Sequence, residues 1–397
     1  EAYVGMEFFQ KFRFFNDTDP SKGTVEYVDY VGAVRNRLIS GNDEEVYMGV
    51  DMESVLPQDS KIGRKSVRLQ SLKTYDRGLF VISIRHMPTG CAVWPAFWMY
   101  GEDAANEWPK LGEYDMIEGI NNDAFVKTTM HTDAGCDQSQ VKEGSDFDST
   151  WFRTNGRATD NCYVRAPGQY FNQGCSQEGP AGSFGVSLNS GGGGTFVGEW
   201  DPDEGRIQTW FFRKGEEPRD LRSGAPRPDR WGKPYSFFSL AEDTCPARHF
   251  QSMRMVFSLN LCGDLAGSHF PTGCPDLAER MTCEELVLEH PELLREAYWL
   301  VSALDVYQKL PDLPVAAADS AASFSAGAVA AAAKAQGEAQ PWEAPRPEAR
   351  APPPPRWTQP IGRTQAPSGR SVPLGAALPP PGRPRPRQSA SASQDVG

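Results

Sequence analysis

Three carboxylates lie within six residues of one another in one strand-like segment of the chain. Side chains two positions apart share a face of a regular strand, so Glu113 and Asp115 point the same way. Glu118 would then face the core, which is costly for an unpaired carboxylate. The alternative is a β-bulge near Met116–Ile117, because one extra residue returns Glu118 to the face of the other acids. We favour the bulge, since it leaves the two apolar residues free to pack in the core.

This spacing of acids suits the cleavage of glycosidic bonds. Retaining glycosidases use two carboxyl groups about 5–5.5 Å apart, one as nucleophile and one as proton donor. Crowding three acids raises the pKa of at least one, because like charges oppose simultaneous ionisation. The segment therefore predicts glycoside hydrolysis, and a solvated acidic strand edge is the plainer alternative.

Three tryptophans, Trp94, Trp98 and Trp108, precede the acids within 20 residues. Sugar rings have apolar faces that stack on indole rings, and carbohydrate clefts combine such platforms with a few polar groups. Each tryptophan alone could equally be a core residue. Beside the acids, the three together favour a sugar-binding cleft.

The rest of the chain must supply a sheet that carries these side chains. Runs rich in β-branched and aromatic residues recur between turn residues, at Gly78–Arg85, Phe125–Thr132, Ser183–Leu188, Thr195–Trp200, Arg206–Phe212, Met253–Leu261 and Tyr298–Gln308. The fourth and fifth runs flank a loop that fits a hairpin. The single helix candidate, Cys283–Ala297, is interrupted by Pro291. Many short strands and few helices predict an all-β sandwich or jelly roll, one face of which can curve into a cleft.

Composition divides the chain into two parts. Residues 311–397 contain 17 prolines and alanine runs, and they bury too little apolar surface to fold, so we predict a disordered tail there. Residues 1–310 remain as one folded domain. The chain carries a net charge of −12, and residues 1–310 alone carry −15. Such an acidic domain without a basic face excludes nucleic acid as a partner. No run of about 18 apolar residues is present to span a membrane.

Eight cysteines, all before residue 284, are never closer than nine residues apart. This spacing excludes a C-x-x-C zinc site. An even number of scattered cysteines predicts disulfides and an oxidising compartment, with eight buried thiols as the alternative. The Asn16–Thr18 glycosylation sequon agrees with a secreted protein. The chain starts at Glu1 without a signal-peptide pattern, which fits either a removed leader or a fragment.

The motifs also resemble a known family in their order. Trp94-Pro-Ala-Phe-Trp98, then Trp108-Pro109, then Gly112-Glu-Tyr-Asp-Met-Ile-Glu-Gly-Ile-Asn121 resemble glycoside hydrolase family 16, in its fungal-type laminarinase (endo-β-1,3(4)-glucanase) branch. The likeness continues in Gly63–Arg68, His86–Cys91, Thr128–Thr132, Gly198–Trp200 and Asn260–Asp264, so it covers almost all of residues 1–310. The resemblance implies a concanavalin A-like β-sandwich jelly roll and a retaining double-displacement mechanism.

The resemblance also implies roles for particular residues. Glu113 matches the nucleophile, Asp115 the assisting residue and Glu118 the general acid/base. The predicted substrate-binding residues are Trp94, Trp98, Trp108, His131, Arg64 and Asn36. A lone histidine on a strand is often purely structural, and the other histidines have no metal-ligand spacing. We therefore expect no catalytic metal and no cofactor.

The function predicted from this sequence is endo-hydrolysis of β-1,3 bonds in laminarin-like or mixed-linkage β-glucans. A glucan transglycosylase would use the same glycosyl-enzyme intermediate and stays open. A glucan-binding protein on the same fold is a third possibility, although such relatives have generally lost the acids that this chain retains. We expect a secreted or cell-wall protein that is a monomer.

Overall fold

A computed structural model describes residues 1–3, 5–102 and 107–309 of the chain. The predicted tail, 311–397, lies outside these described residues. The predicted all-β class is confirmed, because the described residues form strands in every part of the domain. The strands are β1 Ala2–Tyr3, β2 Phe12–Phe14, β3 Val25–Tyr27, β4 Ile39–Gly41, β5 Val46–Gly49, β6 Arg64–Ser66, β7 Arg68–Ser71, β8 Gly78–His86, β9 Val93–Gly101, β10 Glu113–Glu118, β11 Lys127–His131, β12 Thr150–Trp151, β13 Arg153–Thr154, β14 Arg157–Ala158, β15 Cys175–Glu178, β16 Gly194–Asp201, β17 Arg206–Arg213, β18 Ser236–Ser239, β19 Met253–Leu261 and β20 Tyr298–Tyr307.

Two large sheets carry most of these strands. The first has the order β18-β17-β16-β8-β20-β5-β4, with β1 also paired to β20, and the second has the order β12-β15-β11-β10-β9-β19-β7-β2. Neighbouring strands are mostly far apart in sequence and antiparallel, as in a jelly roll. The predicted hairpin is confirmed, since β16 and β17 pair along their whole length. The acid-bearing β10 lies inside the second sheet, where neighbours on both sides hold it.

Side chains alternate along each strand between a face that packs in the core and an open face that is exposed to solvent. On β9, Val93, Phe97 and Met99 are fully buried, whereas Trp94 and Trp98 on the other face are partly exposed. Hydrogen bonds also cross the core between elements. The Tyr114 hydroxyl of β10 lies 2.7 Å from that of Thr209 on β17, in the other sheet. Because Tyr114 faces the core, its two neighbours on β10 face outward.

Helices are short and lie in the connections. The α-helices are α1 Tyr30–Arg35, α2 Gly185–Ser190, α3 Arg219–Arg222, α4 Phe270–Gly273, α5 Pro275–Ala278 and α6 Cys283–Glu289, and there are 3-10 helices at Gly5–Lys11, Pro228–Arg230, Ala247–His249 and Pro291–Leu294 and a π-helical turn at Gly263–Gly267. The helix candidate is confirmed, with α6 ending before Pro291. No helix in the described residues is long and apolar enough to cross a bilayer.

The strand predicted at Ser183–Leu188 is wrong, because most of this segment belongs to α2. Phe184 and Leu188 are both buried and are four residues apart, which is helical spacing. Val186 between them is 64% exposed. A short apolar run does not by itself distinguish a strand from one turn of helix.

All eight cysteines pair, which confirms the predicted disulfides. The bonds are Cys91–Cys274, Cys136–Cys245, Cys162–Cys175 and Cys262–Cys283. Cys91 precedes β9, and Cys162–Cys175 closes a loop immediately before β15. Two of the four bonds therefore brace segments next to β9 and β15, in the sheet whose strand β10 carries the acids.

Candidate active site

A β-bulge in β10 brings the three acids to one face. Opposite β9, Asp115 pairs with Trp98 but Ile117 already pairs with Phe97, so one residue is extra at this point. The pairing with β11 shifts at the same place. Met116 and Ile117 are fully buried, as the bulge requires. Glu118 is partly exposed and bonded to a side chain of the open face, so the alternative that turns it into the core is wrong.

Each outer acid of the set accepts a hydrogen bond from an indole. Trp108 Nε1 donates to Glu113 Oε2 over 2.7 Å, and Trp94 Nε1 donates to Glu118 Oε1 over 2.9 Å. Each bond occupies one oxygen of the carboxyl group and leaves the other oxygen free to react. Sequence analysis assigned these tryptophans to sugar binding alone, and the structure adds that they orient the acids. Trp108 is also 41% exposed, so its ring remains open to a sugar face.

Asp115 and His131 form a buried pair in the middle of the site. His131 Nε2 lies 3.2 Å from Asp115 Oδ2, at an ion-pair distance but without the alignment of a hydrogen bond. His131 also lies directly across from Glu113 in the register of β10 and β11. The histidine is therefore beside the nucleophile position, where a positive imidazolium would stabilise negative charge on either carboxylate.

Burial and mutual repulsion raise the pKa values of Glu113 and Asp115. Burial first, and the charge of Asp115 second, raise the pKa of Glu113 to about 8, while His131 and the Trp108 hydrogen bond act against this rise. Burial and then Glu118 raise the pKa of Asp115 well above its usual value. With a proton on Asp115, the charge that opposes ionisation of Glu113 is removed. A proton on Asp115 therefore makes Glu113 easier to ionise, although burial still raises its pKa.

A raised carboxyl pKa also makes stability depend on pH. Folding raises the pKa of Glu113 from 4.5 to about 8, so between these values the folded state binds the proton more tightly than the unfolded state. Ionisation of Glu113 therefore costs stability increasingly as pH rises through this window. We expect Glu113→Gln to raise the melting temperature by roughly 2–6 °C at pH 8, with little difference at pH 4.5.

Thermal melts across this pH range would test that prediction. The matched control is Glu284→Gln, at an exposed position on α6. The control should show the same difference from the parental protein at every pH. A Glu113→Gln difference that is equally flat would contradict the prediction.

The floor of the cleft follows rows of side chains across the sheet. One row runs Arg68, Ser258, Ala96, Glu118 in the paired register of β7, β19, β9 and β10. The Arg68 guanidinium lies 4.9 Å from the centre of the Trp98 ring, and Trp98 Nε1 donates to Ser258 Oγ over 3.2 Å. Trp98 lies across from Asp115 in the same register, so a polymer that crossed the strands along that row would pass over Trp98 and between Glu118 and Glu113. Trp98 thus lies on the open face beside the acids, and its role in sugar binding stays a prediction.

Arg68 is a neighbour of Trp98 that sequence analysis missed. It belongs to the Gly63–Arg68 segment, from which Arg64 was chosen instead. Both arginines are buried, but only Arg68 stacks on the Trp98 ring. The signal available in the sequence was weak, because the two residues lie on different strands, β6 and β7. Only the pairing of β7 with β19 reveals which arginine lies beside Trp98.

The sugar contact predicted for Arg64 is wrong. Its side chain has no exposed surface, and its nitrogens donate to the carbonyl oxygens of Val287, Asp51, Ser54 and Leu288 at 2.6–3.0 Å. A guanidinium with this many donors ties together separate chain segments through their carbonyls, and the Leu288 carbonyl also accepts from the Leu56 amide. Arg64 therefore stabilises the fold.

Loss of this guanidinium should be strongly destabilising. We expect Arg64→Met to lower the free energy of unfolding by about 3–5 kcal/mol, because it leaves several buried carbonyls without a donor. Chemical denaturation measures this change. Arg37→Met, at an arginine whose side chain is 86% exposed, is the control and should shift unfolding by less than about 0.5 kcal/mol. A similar small shift in the Arg64 variant would contradict the assignment.

Asn36 ends helix α1, away from any contact with the acids among the described residues. Its side-chain nitrogen donates to the Gly32 carbonyl over 2.7 Å, within its own helix. The side chain is exposed. Sugar binding by Asn36 stays a prediction.

One group in the described part of the chain has the geometry of a metal site. Glu113, Asp115 and His131 each offer one ligand atom, and these atoms lie within 4.8 Å of one another. The same atoms are the nucleophile, its neighbour and the adjacent histidine. A cation there would therefore compete with the acid chemistry of the site.

Comparison with known proteins agrees with the geometry. Residues 12–307 match the family description "XgeA-like, catalytic GH16 domain". The chain belongs to glycoside hydrolase family 16. The resemblance stated from the motifs is confirmed, and it extends through the fold. Laminarinase 16A of Phanerochaete chrysosporium, solved with β-glucans in both donor and acceptor sites, is 32% identical and has a TM-score of 0.69, over 78% of this chain and 98% of that one.

Other family 16 members are similar to the same extent. An elongating β-1,3-glucosyltransferase is also 32% identical over 78% of this chain and 98% of its own, with a TM-score of 0.68. A probable glycosidase of Schizosaccharomyces pombe and an endo-1,3(4)-β-glucanase of Arthroderma benhamiae are each 38% identical over 78% of this chain. The chain spans 68% and 64% of these two relatives, and 47% of an Emericella nidulans endo-1,3(4)-β-glucanase that is 34% identical.

Proposed function

We propose that this family 16 domain hydrolyses internal β-1,3 bonds in laminarin-like or mixed-linkage β-glucans, with retention of anomeric configuration. The observation that carries the proposal is the bulge in β10, which puts Glu113, Asp115 and Glu118 on one open face. The names of the fungal relatives support the substrate class. The uncharged substrate also suits an acidic cleft.

The contacts support a division of labour between the acids. The free oxygen of Glu113 attacks the anomeric carbon while Trp108 holds the other oxygen. Glu118 donates its proton to the departing glycosidic oxygen, and the bond to the leaving sugar breaks as the glycosyl-enzyme ester forms. Water, deprotonated by Glu118, then attacks the same carbon and releases Glu113. Because two inversions occur at one centre, the product keeps the β configuration.

In this scheme, Asp115 and His131 influence the ionisation of the two catalytic carboxyl groups. The raised pKa of Asp115 keeps a proton between Glu113 and Glu118. His131 lies 3.2 Å from Asp115 and directly across from Glu113, so it contacts the groups that must carry the charge. Their role is to position the acids and to set their charge, and neither forms a bond to the sugar.

A digest of linkage-defined glucans tests the proposal. Laminarin, a mixed β-1,3/1,4-glucan, a β-1,6-glucan and cellulose are digested, and the products are mapped by chain length. We expect internal cuts at β-1,3 bonds and an initial β-anomer by NMR. The α-anomer, or no cleavage of any β-1,3 bond by the folded protein, would overturn it.

Transglycosylation is a second candidate function. The observation that favours it is the equal similarity of the chain to a laminarinase and to an elongating glucosyltransferase. Both outcomes use the glycosyl-enzyme on Glu113, and they differ in whether water or a sugar hydroxyl attacks it. Incubation with concentrated laminarioligosaccharides distinguishes them, since a transferase yields products longer than the starting sugar.

Secretion and a monomeric state complete the proposal. Four disulfides and the exposed Asn16 of the sequon support an oxidising, extracellular compartment. Light scattering of the purified protein measures the oligomeric state. A stable dimer would overturn the monomer proposal and leave the enzymatic one intact.

A further inference from the structure

A loop closed by the Cys162–Cys175 disulfide carries two adjacent exposed aromatic residues. Tyr170 is 64% exposed and Phe171 is 73% exposed, more than any other aromatic side chain in the described part of the chain. Isolated exposed apolar residues are common. Two large adjacent rings that are both exposed to water form a surface suited to binding another molecule.

Side-chain contacts hold the loop that carries these rings. The Gln169 side chain donates to the carbonyls of Asn161 and Gly174 over 2.8 and 2.7 Å, and it accepts a hydrogen bond from the Asn161 amide over 3.0 Å. The Arg165 guanidinium lies 5.7 Å from the centre of the Phe171 ring. Because the loop is ordered before any ligand arrives, a ligand that stacks here loses little energy in ordering it.

The base of the loop packs directly on the active site. A Cβ placed on Gly174 would lie 2.8 Å from Nδ1 of His131, so only glycine fits against that imidazole. The next residue, Cys175, pairs with Met130 of β11. Two residues lie between Phe171 and Gly174, so three Cα–Cα steps join them and their Cα atoms are at most about 11 Å apart. The rings therefore lie within the span of a short oligosaccharide from His131.

The loop and Trp98 lie on opposite sides of the acids. The strand order β15-β11-β10-β9 places the loop beyond β11, on one side of β10, and Trp98 on β9, on the other. Arg68 on β7 extends the Trp98 side further. A polymer that crosses β10 has one arm over Trp98 and directs the other arm toward the loop.

We propose that Tyr170 and Phe171 form a binding platform for the arm of a long β-glucan that leaves the acids across β11 and β15. The proposal rests on the proposed function, because the occupant is the same substrate chain. An uncharged sugar polymer fits the surface, since its rings present apolar faces to aromatic side chains. The net charge of −15 over residues 1–310 disfavours an anionic polymer.

Kinetics against chain length test the platform. The double variant Tyr170→Ser/Phe171→Ser is compared with Tyr170→Trp/Phe171→Trp on laminaritriose and on long laminarin. We expect the ratio of KM for laminarin to KM for laminaritriose to rise about tenfold in the serine variant, a loss equal to one stacking site. The tryptophan variant should keep the parental ratio, because it keeps a flat aromatic ring at both positions.

Two further variants make the result decisive. Val186→Ala, which removes a 64% exposed apolar side chain on α2, should keep the parental ratio. Phe171→Leu keeps an apolar residue but removes the ring, and it should raise the ratio by about threefold. This single change covers the case in which the double serine variant fails to fold.

The outcomes separate the two proposals. If the folded parental protein does not cleave laminarin, the proposed function is wrong. If it does, and the serine and leucine variants both keep the KM ratio within twofold of the parental value, only the platform is wrong. That second result is also what a platform for a protein partner would produce.

Discussion

The Glu113→Gln variant is expected to release reducing ends from laminarin at less than about one thousandth of the parental rate. The amide keeps the size and the Trp108 contact of the carboxylate but cannot attack the anomeric carbon. Reducing-end assays on the folded variant measure the loss. The control Glu284→Gln, exposed on α6, should keep the parental rate.

A smaller Glu113→Ala variant adds a stereochemical test. Azide that enters the vacated space attacks the anomeric carbon once, displaces the leaving group and gives an α-glycosyl azide from a good aryl leaving group. One displacement inverts the centre, whereas the parental reaction inverts it twice. A β-glycosyl azide, or a Glu113→Gln variant that retains the parental rate, would remove Glu113 from the nucleophile role.

The Glu118→Gln variant is expected to lose about 10²–10⁴ in rate on laminarin, because sugar leaving groups need a proton to depart. The loss in the first step should be much smaller on a dinitrophenyl glycoside, whose phenolate leaves without protonation. This difference between substrates is the signature of a general acid. It separates loss of proton donation from a general failure of the site.

Pre-steady-state kinetics check this expectation. With the dinitrophenyl substrate, the variant should show a burst of phenolate followed by slow turnover, because Glu118 also activates water in the second step. Trp94 orients Glu118 through a 2.9 Å hydrogen bond, so a Trp94→Phe variant provides an intermediate case. Equal losses on both substrates would contradict the assignment of Glu118 as the acid.

The two roles depend on a single extra residue in one strand. Without the bulge at Met116, Glu118 would lie in the core. The two catalytic carboxyl groups would then not flank the scissile glycosidic bond. The burial of Met116 and Ile117 stabilises this irregular backbone by removing apolar surface from water. A local defect in sheet geometry is thus held in place by core packing, and it creates the site.

Several features followed from the sequence because they depend on local rules. The all-β class follows from short β-branched and aromatic runs between turn residues, and the hairpin follows from its loop. The bulge follows from the conflict between the parity of a strand and the cost of burying Glu118. The disulfides follow from the number of cysteines, although their pairing does not.

The wrong predictions concern segments whose local sequence is compatible with two structures. Ser183–Leu188 has both strand-like composition and a helical spacing of its buried residues, and packing selects the helix. Arg64 and Arg68 lie in one short segment and are both buried, and a sequence cannot tell which of them stacks on Trp98. Pairing of distant strands decides this, because it determines what surrounds each side chain.

The sequence by itself determined the acids, the tryptophans beside them and the family, because these depend on residue type, spacing and order. Only the tertiary structure decided the partner of each acid, the arginine that stacks on Trp98 and the place of the Tyr170–Phe171 loop. Except for the Trp108–Glu113 bond, which joins residues five positions apart, these contacts depend on segments that are distant in the chain and adjacent in the fold. Contacts of that kind arise from the register of the whole sandwich, which no local pattern encodes.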